Sequence, residues 1–386
     1  MHMTPSPLLI SELGSARPSR VEGSAVPVLF GRGALEQLGE RAAALRATRV
    51  LLVTDQGIVA AGHVDRATAS LREAGIDVRI FDEAEENPTT RCVDKAVAAA
   101  REHRIDLLIG LGGGSSMDCA KGCNFILTNG GRMQDYWGVG KATKPMLPLV
   151  AVPTTAGTGS EAQSFALITD PDTHQKMACG DKKALPALAI LDADLTGTQP
   201  PKVAAATGID AVAHAVETAG CAKRTDVSIR LSREAWTLLS GALETALEDS
   251  TDVVSRERML LGAHLAGAAI ENSMLGAAHA CANPLTAKFG ITHGVAVGIM
   301  LPHVIRFNSE GATNPYAVLV SDGGELADRV ETLLSAARVP VKLGELGVGQ
   351  GDVEGLAAQA AEQWTAKFNP RPMDEAGFRQ IYGRAL

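Results

Sequence analysis

Residues 107–122 read LLIGLGGGSSMDCAKG, and their reading decides the fold. The first residues are apolar and suit a strand buried on both faces; a run of glycines follows; SSMDCAK then takes up helical spacing. A strand that passes through glycines into a helix is a setting in which the free N–H groups of the helix start hold a phosphate. Gly112, Gly113 and Gly114 let the backbone approach a diphosphate, while Ser115 and Ser116 can cap the helix or bond a phosphate oxygen. The spacing is not G-x-G-x-x-G, and no Gly-Lys-Ser/Thr follows as a P-loop would require. A tight turn needs glycines too, so the loop alone leaves both readings open.

Upstream, RVLLVTD (Arg49–Asp55) and DVRIFDE (Asp77–Glu83) read as strands, and HVDRATASLREAG and TRCVDKAVAAAREH have helical periodicity. Strand alternating with helix predicts a parallel sheet with crossover helices. Downstream, LPLVAV predicts another strand, and it ends in a second polar loop, PTTAGTGSE (Pro153–Glu161). FALITDPDTHQKMACGD predicts two strands about an Asp-Pro-Asp turn, and PALAILDADL a last one. Two Gly/Thr/Ser loops at strand ends lie on the carboxyl edge, where open α/β sheets bind ligands, and together they point to a dinucleotide. Asp55, ending its strand, is placed to accept hydrogen bonds from an adenosine ribose and to repel a 2′-phosphate, which favours NAD over NADP. A helix N-cap is the other reading of Asp55.

From about Pro200 the texture changes. PPKVAAATGIDAVAHAVET, RLSREAWTLLSGALETALED and SRERMLLGAHLAGAAIENSML are helical in period, with no convincing strand among them. At 386 residues the chain exceeds the usual size of one core, so two domains are expected. The predicted fold is an α/β dinucleotide-binding domain with a parallel sheet (residues 1–199) and an all-helical domain (200–386), joined at TGTQPP. A net charge of −8 offers no basic field for nucleic acid. No apolar run is long enough for a membrane span, and the opening MHMTPSPLLISELG lacks the marks of a signal peptide, so a soluble, untargeted protein is expected. The cysteines at 92, 119, 123, 179, 221 and 281 show no C-x-x-C pairing, which favours reduced thiols in a cytoplasm. Cys119 and Cys123 share a helix face and read as core packing.

In GIDAVAHAVE (Gly208–Glu217), Asp210 and His214 stand four apart on one helical face. GAAHACANPLTAKFGITHGVAVGIMLPHV then supplies His279 and His293. Any one of these histidines alone would read as an ordinary core or surface imidazole. One carboxylate and three imidazoles in apolar surroundings suit Fe²⁺ or Zn²⁺. His264 and His303 have no partner at ligand spacing and read as structural; His63, His103 and His174 lie in polar stretches and read as surface residues.

Taken together, GGGSSMDCAK, PTTAGTGSE, GIDAVAHAVE and the H-x13-H pair resemble the iron-containing (group III) alcohol dehydrogenases. The resemblance runs from about Gly31 to about Asn308 and returns at Asn369–Arg371. It implies that Asp210, His214, His279 and His293 are metal ligands and that Gly112–Ser115 form the diphosphate loop, with Asp118 in the same motif. Thr154, Thr155 and Thr158 would match the loop beside nicotinamide and diphosphate, Asp55 the NAD-favouring acid, and Lys176 a lysine near the cofactor ribose. It implies a homodimer, and a cation that polarises an aldehyde carbonyl or acidifies an alcohol while NAD(H) exchanges hydride. One departure is Asn283, in HACAN, where many members carry a second histidine proposed to help substrate binding or proton transfer; an amide hydrogen-bonds but does not titrate near neutrality. By the same resemblance Phe165, Ile270 and Thr365 line the substrate pocket, a lining without Arg or Lys that suits a small neutral alcohol or aldehyde.

Other readings share the scaffold: a metal-free maleylacetate reductase, a hydroxyacid–oxoacid transhydrogenase, or a relative of dehydroquinate synthase. A catalytically silent nucleotide-binding relative is the reading of a different class. Retention of the four metal-type residues and both loops speaks against the metal-free and silent forms, and the lack of evident basic pocket residues against diacid or phosphate substrates.

Overall fold

Strand β2 (Arg49–Val53) shows why the sheet is buried on both sides. Leu51 and Val53 enter one core with Val93, Ala96, Met117 and Ala120, while Val50 and Leu52 enter a second with Leu35, Leu38, Ala67 and Leu71. The same division holds for β4 (Leu107–Gly112) and β6 (Leu149–Pro153), so helices must cover both faces. They are α1 (Leu38–Ala44), α2 (Gln56–Ala60), α3 (His63–Glu73), α4 (Thr90–His103) and α5 (Gly114–Asn129). With β1 (Val28–Phe30), β3 (Asp77–Phe81) and β9 (Leu188–Leu191), the strands form a six-stranded sheet ordered β1-β9-β6-β4-β2-β3, with every pair parallel. The chain leaves β2 towards β3 on one side and β4 lies on the other, which opens a crevice at the carboxyl ends of β2 and β4.

The computed structural model describes residues 19–173, 175–311 and 313–386; the opening MHMTPSPLLISELG and His174 lie outside the described residues. Strand β1 has no counterpart in the sequence reading. Its three residues are too few to show a period, and it becomes a strand by pairing with β9, Val28 opposite Ala189. The Asp-Pro-Asp turn joins β7 (Phe165–Thr169) and β8 (Lys176–Gly180) antiparallel, in a small sheet completed by β5 (Gly138–Val139).

The second half is helical, as its composition predicts. The principal helices are α6 (Pro201–Gly220), α7 (Asp226–Ser240), α8 (Val253–Glu271), α9 (Ala277–Phe289), α10 (His293–Ser309), α11 (Gly323–Ala336), α12 (Val353–Glu362) and α13 (Glu375–Ala385). Pro201 sits in the first turn of α6, where its missing N–H costs nothing. By their contacts the described residues divide into two compact units: residues 19–155 with Ser160–Thr198, and Ala156–Gly159 with Gln199–Leu386. The short return has a steric reason. A Cβ on Gly157 would lie 2.5 Å from the Thr207 side chain, and one on Gly159, at φ +62°, 2.6 Å from the Gly267 Cα.

One expectation about a single residue changes. His63 is buried rather than superficial: it opens α3 and its Nε2 lies 2.8 Å from Thr198 Oγ1. His264 is fully buried in α8, and all six cysteines are unpaired and buried. Among the described residues, no helix is long and apolar enough to cross a membrane.

Candidate functional site

Helix α6 is buried along most of its length, so the polar residues of its middle cannot face water. Asp210 and His214 lie one turn apart, His214 Nε2 at 3.6 Å from Asp210 Oδ1. His279, in the first turn of α9, brings its Nε2 to 3.5 Å from the same oxygen, and neither Asp210 Oδ1 nor His279 Nε2 has a closer hydrogen-bond partner. His293, at the start of α10, completes a set in which ligand atoms of Asp210, His279 and His293 lie within 4.8 Å of one another. The His214 ring stacks on His279 with centroids 4.9 Å apart, and His293 tilts against His279 at 5.4 Å.

The electrostatics fit a cation. Burial would raise the Asp210 carboxyl, but the surrounding His214, His293 and His279 hold it far below the usual carboxylate range. For His279, burial opposes the charge, yet Glu217 and Asp210 lift it to about 9. Burial lowers His214 despite Asp210. Two buried carboxylates thus call for positive charge among the imidazoles, which a divalent cation supplies without a proton.

One of those carboxylates was not singled out in the sequence. Glu217, seven residues after Asp210, is buried; its Oε2 lies 2.5 Å from His279 Nδ1 and its Oε1 accepts from Ala278 N at 2.7 Å. Its signal was present in GIDAVAHAVE, where positions 210, 214 and 217 share a helical face.

At the sheet edge, Gly112 has φ +149°, and a Cβ there would lie 2.5 Å from Ser116 Oγ. Gly113 caps α5 and Gly114 opens it. Ser115 Oγ accepts from Asn87 N at 3.2 Å. Asp55 is the N-cap of α2, its Oδ1 accepting from Ile58 N at 3.1 Å, while Oδ2 receives Ser116 Oγ at 3.4 Å across the crevice. The Thr154 and Thr155 hydroxyls are buried without a hydrogen-bond partner, a donor pattern that fits a polar ligand. Thr158 belongs instead with the helical unit. Lys176 Nζ donates to Asn87 Oδ1 at 2.9 Å.

Asp118 is engaged within the protein: it accepts from Ser160 Oγ at 2.7 Å and Leu167 N at 3.2 Å. Beside it Lys121 is fully buried, and its Nζ donates to Ser160 O at 2.6 Å, Ser160 Oγ at 2.8 Å and Phe165 O at 2.9 Å. The pair ties down the end of the second loop, at Ser160, and the start of β7 that follows it. A lysine one turn after an aspartate, in a helix with no other charged residue, was the available sign.

Asn283 follows His279 by one turn of α9 and donates to Gln363 Oε1 at 2.9 Å. Ile270 and Thr365 are buried in the helical unit, Thr365 Oγ1 without a partner. Phe165 is half-buried in β7, its ring lying against Gly180.

Comparison with known proteins gives one answer. The pattern of the iron-containing alcohol dehydrogenase family matches residues 26–193, and that of the Fe-containing alcohol dehydrogenase family, C-terminal, matches 204–386. The chain is 34% identical over 371 residues to an NAD-dependent methanol dehydrogenase of Bacillus methanolicus, covering 93% of this chain and 97% of that one. It is 35% identical to a 1,3-propanediol dehydrogenase of Citrobacter freundii, with 92% and 96% covered. A crystal structure of a 1,3-propanediol oxidoreductase superposes with a TM-score of 0.90 at 33% identity, covering 94% of this chain and 98% of that one. The chain belongs to the iron-containing alcohol dehydrogenase family and is an enzyme of that class.

Proposed function

We propose that this enzyme is a metal-dependent NAD(H) alcohol dehydrogenase, or aldehyde reductase, acting on a small neutral alcohol or aldehyde. The observation that carries the reading is the convergence of Asp210, His279 and His293 within 4.8 Å, with His214 against the same carboxylate. These four residues would hold Fe²⁺, or Zn²⁺, since imidazole and carboxylate suit both. When bound, the cation supplies Lewis acidity toward a carbonyl or hydroxyl oxygen. Asp210 contributes the one negative charge among the donors, so a divalent ion keeps net positive charge for that task.

Gly112, Gly113, Gly114 and Ser115 would receive the NAD diphosphate at the start of α5, Thr154 and Thr155 would bond to it with their buried hydroxyls, and Asp55 would accept from the adenosine ribose. Thr158 and Lys176 are assigned to the same cofactor, and Asp118 to positioning its loop. Asn283 would orient the substrate by hydrogen bonding without exchanging a proton. Methanol and 1,3-propanediol, named for two relatives, are small and uncharged and support the substrate class. A cytoplasmic homodimer completes the reading, supported by the unpaired thiols and by family membership.

The test is NADH oxidation with a panel of small aldehydes by anaerobically purified protein, before and after chelation and after return of Fe²⁺ or Zn²⁺. Activity lost on chelation and restored by one ion is expected. Activity unchanged after verified metal removal would favour a metal-free reductase, and tightly retained cofactor a transhydrogenase.

A further inference from the structure

The cluster of Asp210, His214, His279 and His293 does not explain Glu217. A buried carboxylate is costly unless its oxygens are hydrogen-bonded, and both oxygens of this one bond to the first turn of α9. Oε1 accepts the Ala278 N–H at 2.7 Å and Oε2 meets His279 Nδ1 at 2.5 Å. The backbone N–H can only donate, and an ionised carboxylate can only accept. His279 Nδ1 is therefore the donor to Oε2, and when the ring gives up its second proton, as binding a cation requires, the lone pair is left on Nε2, the atom that stands 3.5 Å from Asp210 Oδ1.

The carboxylate sits in a tightly packed place. Gly276, which precedes α9, leaves little room for a side chain: a Cβ there would lie 3.1 Å from Glu217 Oε1 and 3.3 Å from Asn369 Oδ1, so the carboxylate would have to give by a few tenths of an ångström. Asn369 is fixed by a reciprocal amide pair with Asn308, at 2.7 and 3.0 Å, and by donation to Arg371 O at 2.7 Å. Asn308 also donates to the hydroxyl of the fully buried Tyr316 at 2.7 Å. The positive end of the α9 dipole favours the charge at the same place.

We propose that Glu217 is a positioning residue that locks His279 in the tautomer presenting its Nε2 lone pair to the cation, and so governs how long the cation is retained. This rests on the metal-site reading given above. Isosteric glutamine cannot do the same work. If its oxygen keeps the Ala278 N–H, its amide donates to His279 Nδ1 and favours the tautomer protonated on Nε2, which has no lone pair for a cation; if the oxygen keeps His279, the Ala278 N–H meets another donor.

The experiment loads full-length wild type, Glu217→Gln and Gly276→Ala with Zn²⁺. It follows release of the ion to a chromogenic chelator and the melting temperatures of the metal-free proteins. Glu217→Gln is expected to hold Zn²⁺ about 10–100-fold more weakly than wild type, the range typical when the carboxylate behind a ligating histidine is removed, and to show this as correspondingly faster release. Gly276→Ala, which only displaces the carboxylate, is expected to release it several-fold faster and serves if Glu217→Gln does not fold. A Glu217 that merely capped α9 would lower the melting temperature of the metal-free protein and leave release within twofold of wild type, and that result overturns the proposal. Wild type that takes up no Zn²⁺ or Fe²⁺ would instead sink the metal-site reading, and this inference with it.

Discussion

Replacing Lys121 by methionine would leave the buried Asp118 without its cation and would free the Ser160 and Phe165 carbonyls it now binds. Loss of one partner from such a pair costs about 3–5 kcal/mol, so Lys121→Met should show a large fall in urea midpoint even though no reacting group is touched. Asn283→His tests the amide beside His279: the variant should gain a pH dependence in kcat/KM near an imidazole value of about 6.5, and superimposable profiles would deny Asn283 a place at the substrate. Asp55→Ser keeps an N-cap for α2 but removes the charge. Its preference for NAD over NADP should drop roughly tenfold, equivalent to ~1.4 kcal/mol, when the two cofactors are compared in steady-state kinetics.

Among the elements, α8 and the Ala156–Gly159 return meet through glycines. A Cβ on Gly267 would strike the Gly159 carbonyl, which is backbone and cannot rotate away, so Gly267→Ala should cost about 1–3 kcal/mol, read as a lowered melting temperature. His63 ties α3 to Thr198, and burial followed by the Arg66 charge holds its pKa below the ordinary value, with the Leu195 carbonyl opposing. The unfolded chain then binds the proton more readily than the folded one, so the stabilisation is complete above about pH 6.5 and is lost as pH falls below it. His63→Gln should flatten the stability profile between about pH 7.5 and about 5.5, as followed by denaturant unfolding. Elements of this kind were unequally legible. The alternation of strand and helix announced the parallel sheet because each buried strand carries its own apolar run, and Asp210 and His214 announced themselves because one helix holds both. Strand β1 is visible only from its partner β9, more than 150 positions away. Glu217 and Lys121 left only a local sign, a shared helix face and a charge one turn from another: what they bind, Ala278 with His279 and Ser160 with Phe165, is distant in sequence, and local periodicity says nothing about distant partners.

On the scale of the molecule, cation binding and folding should be linked, because the four proposed ligands come from three helices, α6, α9 and α10. Fe²⁺ or Zn²⁺ at a hundred times its dissociation constant should stabilise the protein by ~2.7 kcal/mol, measurable as a rise in unfolding temperature that chelation reverses. The division of the chain has a different kind of consequence. The boundary is crossed after Thr155, after Gly159 and again after Thr198, so no single cut yields both units whole. A gene fragment ending at Thr198 would carry four residues whose glycines had lost Thr207 and Gly267 as neighbours, and a fragment starting at Gln199 would expose the surface they covered. The two units are therefore poor candidates for shuffling as separate modules, and a chimaera built by exchanging one of them must carry Ala156–Gly159 to match the helices rather than the sheet.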